Sequence, residues 1–170
     1  MAEQAGQPPS TSARVARLIL YTGPRVIIGV LLLVAVAINI ANIIVRYVFA
    51  SSIFWAEEIL VYIVLWGVFL GAIAAAYNGD HLKVDLFSVH ITGPIKPIVN
   101  ALVALSLIVC GVAVASESVQ VIAKMAETGQ VSVAAGIPIV VPHAALFVGF
   151  GLMAVAVLAR FGNYVRDKFD

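Results

Sequence analysis

Twenty consecutive uncharged residues separate Arg25 from Arg46, 21 separate Glu58 from Asp80, and 20 separate Lys96 from Glu117. A helix crossing about 30 Å of hydrocarbon at 1.5 Å per residue needs roughly 20 predominantly apolar residues. Each gap has the length of one span. A fourth gap, 32 residues between Glu127 and Arg160, is too long for one straight crossing, and Pro138 and Pro142 divide it. Thr128 to Val141 is expected to be a loop or partly inserted segment. Pro142 then falls in the first turn of the last helix, where its missing N–H costs nothing. The fold expected is an all-α integral membrane protein with four transmembrane helices, at about 26–45, 59–79, 97–116 and 142–159.

Composition closes off the alternatives. Charged residues make up 11% of the chain and hydrophobic ones 62%, with a mean hydropathy of +1.07. Soluble domains run at about 25% and 45–50%, so there is too little polar surface here to cover one. Disordered chains are poor in apolar residues and are excluded by the same figures. A net charge of +1 leaves no basic field for nucleic acid. The single cysteine, Cys110, rules out a disulfide framework or a cysteine-based metal cage. The runs are continuous rather than alternating, so they read as helices and not as barrel strands.

Lysine and arginine in the flanks set the expected orientation. Arg14, Arg17, Arg25, Lys83, Lys96, Arg160, Arg166 and Lys168 fall on one side, eight in all, against Arg46 and Lys124 on the other. Both termini are therefore expected in the cytoplasm. Residues 1–13 read as a short disordered cytoplasmic tail rather than a cleavable signal, and 14–170 as a single four-helix domain.

Polar residues near the outer ends carry the candidate interactions. Asn39, Asn42 and Arg46 sit at i, i+3 and i+7 and are expected to share a face. An interhelical hydrogen-bond seam is favoured there over an ion path. Ser51 and Ser52 offer an N-cap to the second helix, while Glu57 and Glu58 suit the positive end of its dipole. Trp55 and Tyr47 fit an aromatic belt. One glutamate is expected to pair with Arg46 and the other to face a partner. The second helix also carries Gly67, Gly71, Ala75 and Gly79 at every fourth position, a ridge expected to let another helix approach closely. Tyr62, Trp66 and Phe69 on the other side read as packing or lipid contacts.

Other patterns carry less chemistry. Asp80, His81, Lys83 and Asp85 follow the second helix, but a cation among so few ligands argues for a solvated turn over a metal site. Leu82, Leu86 and Val89 are spaced for a short helix on the membrane surface. Glu117, Gln120, Lys124 and Glu127 continue the third helix beyond the bilayer, either as a solubilising exit or as a docking surface. His143 alone approaches a span, too few histidines for a membrane haem. No hydrolase, metalloprotease, phosphate-loop or redox motif is present, so neither an enzyme nor a cofactor is expected.

Asn42-x-x-x-Arg46-Tyr47-Val48-Phe49, Trp55-Ala56-Glu57-Glu58, Trp66, Phe69-Leu70-Gly71-Ala72, His81-x-x-Val84-Asp85 and Gly136-Ile137-Pro138 occur in an order and four-helix frame of their own. Together, over Arg25 to Arg160, they resemble the small, DctQ-like membrane subunit of tripartite ATP-independent periplasmic (TRAP) transporters. That resemblance implies a bacterial or archaeal inner-membrane complex. A periplasmic binding protein delivers a small solute, mostly an organic acid, and a large subunit holds the substrate and sodium sites. The small subunit packs on the large one within the lipid and helps dock the binding protein. It implies no substrate, metal or cofactor site in this chain. The competing reading, a stand-alone four-helix proton-coupled carrier, needs a membrane-embedded acid, and Glu57, Glu58 and Glu117 all fall at expected interfaces.

Overall fold

The computed structural model describes residues 11–79 and 95–166. It begins with helix α1 (Thr11–Arg17), which runs through a π-helical turn, Leu18–Thr22, into α2 (Gly23–Val48). Three long helices follow: α3 (Ala56–Asn78), α4 (Lys96–Thr128) and α5 (Val140–Ala159), with a short α6 (Phe161–Arg166) at the end. Four helical runs are long and apolar enough to cross a membrane, and they contain α2, α3, α4 and α5. Among the described residues no strand forms beyond the single bridge Val131–Pro138.

The π turn has a local cause. Pro24 has no N–H, and its ring crowds the carbonyl four residues back in a regular helix. The chain widens instead, so that the Gly23 N–H bonds the Leu18 carbonyl five residues earlier. Helical structure thus starts well before Arg25. Thr11 to Ala13, expected in the tail, open α1; the rest of the tail, and the motif Asp80-His81-Leu82-Lys83-Val84-Asp85 with Leu86 and Val89, lie outside the described residues.

Helix α4 has 33 residues, about 50 Å at 1.5 Å each, far more than the hydrocarbon needs. Its extension past Glu117 carries the expected polar residues. Ser106, Ser116, Ser118 and Thr128 return their hydroxyls to carbonyls three or four residues back, at 2.7–3.0 Å, so none of these hydroxyls is left bare.

Helix α5 is the hub, packing against α4 on one side and α3 on the other, while α2 lies against α3 and α6 folds back on α4. Small residues set these distances. A Cβ on Gly149 would stand 2.7 Å from Phe69 Cβ, and one on Gly111 3.0 Å from the Phe150 carbonyl oxygen. The Phe69 and Phe150 rings meet beside them with centroids 5.6 Å apart, tilted by 56° to each other. At the far end, Leu20, Leu70, Ile73, Ala76, Tyr77, Met153, Val157 and Tyr164 form the core. The Tyr164 hydroxyl donates to the Ala76 carbonyl, and the Arg160 guanidinium lies 4.8 Å over the Tyr77 ring.

The expected ridge of Gly67, Gly71 and Ala75 is looser than its spacing implies. A Cβ on Gly67 would meet nothing within 4 Å, and one on Gly71 only Ile28 Cδ1, at 3.9 Å. Close approach in this bundle belongs to Gly111 and Gly149.

Candidate functional site

The most constrained polar cluster sits at the end of the bundle that carries the α2–α3 and α4–α5 loops. Between α4 and α5 the chain makes a narrow hairpin rather than an open loop. Gly129 closes α4 in the left-handed region, at φ +59°, which glycine alone adopts freely. The Ser132 N–H bonds the Ile137 carbonyl at 2.8 Å, and the Ile139 N–H bonds the Gln130 carbonyl at 3.0 Å. Gly136, at φ +65°, turns the chain between them. Within the turn the Ile137 N–H donates to Ser132 Oγ at 3.0 Å.

Glu58 holds this hairpin from α3. Its Oε2 accepts the backbone N–H groups of Ala134 and Ala135, at 3.0 and 2.9 Å. Its Oε1 accepts the Tyr62 hydroxyl, one turn further along α3, at 2.7 Å. The Ser132 hydroxyl stands near enough to favour the charged carboxylate. Two successive N–H groups aimed at one oxygen make an anion-binding concavity, and here the anion is part of the chain.

A second bond orders the other loop. Asn42 Oδ1 accepts the Ile53 N–H at 2.9 Å, tying the end of α2 to the turn that starts α3. That turn also sets the start of the helix. The Ala56 N–H reaches the Ile53 carbonyl at 3.0 Å, and the cap position falls on Trp55, without a side-chain cap. Ser51 and Ser52, expected to cap α3, lie upstream and do not.

The expected Arg46–glutamate pair is corrected by the same geometry. Among the described residues no ion pair joins Arg46 to Glu57 or Glu58. Both Glu58 oxygens already serve Tyr62 and the hairpin, while Arg46 and Glu57 are exposed. The expected stripe on α2 divides as well. Asn42 is half-buried toward the loop, whereas Asn39 and Arg46 point outward. Trp55 and Tyr47 are exposed and Trp66 is half-buried. Gln120, Lys124 and Glu127 are exposed along the extension of α4, and Val133 stands fully exposed in the hairpin.

Spacing within either segment could not pair Glu58 with the hairpin, since the two are 76 and 77 residues apart. The available signal was a carboxylate and a Gly-Ile-Pro turn at the same expected depth. Among the described residues no three His, Cys, Asp or Glu side chains converge. His143 spends its Nδ1–H on the Ile139 carbonyl, at 2.9 Å.

The sequence matches the family described as "Tripartite ATP-independent periplasmic transporters, DctQ component" over residues 26–167. That stretch takes in α2 from Val26 onward, all of α3, α4 and α5, both ordered loops and the Glu58 cluster. The chain belongs to the DctQ family. No curated protein matches it. As a DctQ chain it is the small permease component of a TRAP transporter, and its four apolar helical runs make it a multi-pass membrane protein.

Proposed function

We propose that this DctQ subunit is a scaffold without a transport or catalytic site of its own, in a bacterial or archaeal inner membrane with both termini in the cytoplasm. It packs on the large transport subunit and helps dock the periplasmic binding protein, for sodium-coupled uptake of a small organic solute, an organic acid. The observation that carries this reading is the state of α2. None of the most apolar stretch of its helical run is buried within the chain, and Asn39 faces outward at membrane depth. A polar amide facing lipid is costly, so a neighbouring protein surface is the better environment for that face.

The Glu58-held hairpin, Glu57, Arg46 and the α4 extension with Gln120, Lys124 and Glu127 line the opposite, loop-bearing end. Their fixed backbone and free side chains suit a docking surface in which the scaffold is rigid before the partner arrives.

Tagged subunit expressed from its native operon is expected to bring down a much larger membrane protein. Liposomes holding the small subunit alone are expected to show no uptake, and uptake by it alone would establish the stand-alone carrier instead. For orientation, in a Cys110→Ser background, periplasmic thiol labelling is expected to reach Gly129→Cys and to miss Ser12→Cys and Asp167→Cys.

A further inference from the structure

A cleft of about 440 Å³ runs between α2 and α3, lined from those two helices and the π turn and by no residue of α4 or α5. Gly29, Gly71 and Ala75 line its apolar length, and Tyr21, Arg25 and Asn78 stand at one end. From Asn78 to Gly71 is about 10 Å of helix. The two helices stand apart here, since a Cβ on Gly29 would meet nothing within 4 Å and one on Gly71 only the tip of Ile28. Leaving such a volume empty forfeits the dispersion contacts of its lining, so an apolar occupant is favoured.

The end of the cleft says which kind. The exposed Arg25 guanidinium lies 4.4 Å over the Tyr21 ring and donates to the Tyr21 hydroxyl. A guanidinium has five N–H donors, so others remain for an anion. The four described carboxylates, Glu57, Glu58, Glu117 and Glu127, lie toward the opposite end of the bundle, whereas Arg14, Arg17, Arg160 and Arg166 share the end of Arg25. An occupant with an anionic head and an apolar tail matches this layout.

We propose that the α2–α3 cleft binds an anionic phospholipid, with its phosphate on Arg25 and one acyl chain along Gly29, Gly71 and Ala75. The site is distinct from the loop-bearing end and needs only that the helices lie in a membrane.

Native mass spectrometry of the transporter complex in mild detergent tests this, with dioleoyl phosphatidylglycerol, dioleoyl phosphatidylcholine and glycerol 3-phosphate as probes. The wild-type complex is expected to hold phosphatidylglycerol roughly fivefold more tightly than phosphatidylcholine, the scale of one interfacial basic residue. Arg25→Gln is expected to abolish the preference and Arg25→Lys to keep most of it. Gly71→Leu and Gly29→Leu, which fill the cleft, are expected to lower retention of both lipids in complexes that still assemble. Undiminished phosphatidylglycerol preference in Arg25→Gln sinks the proposal. Displacement by glycerol 3-phosphate reassigns Arg25 to free phosphate esters. Lipid absent from wild type, together with loss of assembly in both leucine variants, assigns the cleft to a partner helix.

Discussion

Glu58 Oε2 lies 2.9 Å from the backbone nitrogen of Ala135, a residue 77 positions further along the chain. One side chain at the start of α3 thereby fixes the hairpin that joins α4 to α5. The hairpin's own bonds, between Gln130 and Ile139 and between Ser132 and Ile137, shape it without placing it. Placement comes from Glu58.

Glu58→Ala is therefore expected to free the hairpin while leaving the four spans in place. Amide exchange at Ala134 and Ala135 should quicken in that variant, with α4 and α5 still protected. Glu57→Ala, on an exposed neighbour, should leave those amides as they are. Equal protection in all three proteins would show that the hairpin is held by something other than the carboxylate.

Gly149→Ala puts a methyl group into Phe69. Overpacking of this kind costs about 1–3 kcal/mol, read as a lower unfolding temperature in detergent. Phe69→Ala in the same chain is expected to recover only part of the loss, because it removes the ring but keeps the Cβ that stands 2.7 Å from the added methyl. Gly71→Ala, with nothing nearer than 3.9 Å, should be neutral or slightly stabilising. A reversed order of these two glycines would place the tight contact on the α3 ridge.

Asn42→Ala strands the Ile53 N–H, and a part-buried donor left unpaired costs about 1–3 kcal/mol. Arg46→Ala breaks no ion pair within the described chain and should stay within about 0.5 kcal/mol of wild type. Transport by the assembled complex is the separate readout for Arg46. Loss of uptake with unchanged stability places its guanidinium against another subunit. A large stability loss in the isolated subunit would mean that an intrachain partner exists after all.

Tyr164→Phe removes the hydroxyl that α6 donates to the Ala76 carbonyl of α3. A loss of about 1 kcal/mol is expected, with the helical content unchanged by circular dichroism. An unchanged melting temperature would make α6 a passive extension of α5.

The spans were legible because crossing a membrane is a local property of length and hydropathy. Each uncharged gap fixed its own helix whatever the neighbours did, and α2, α3 and α5 begin and end within a few residues of the expected limits. The helical run before Arg25 was less visible, since its cause is a single proline handled by a π turn. Family membership was legible for a similar reason, resting on the order of short motifs along the chain.

What only the tertiary structure decided are the partners. Arg46 and Glu58 share an expected depth, and electrostatics alone favours their pairing, yet Glu58 turns to two N–H groups on a distant loop whose position no local pattern encodes. The glycines teach the same lesson. Gly71 in a regular small-residue ridge faces a cleft, while Gly149, in no marked pattern, receives Phe69. Spacing states which positions permit close approach; whether a helix comes close there depends on the crossings of α2, α3 and α5, which every contact in the bundle sets together.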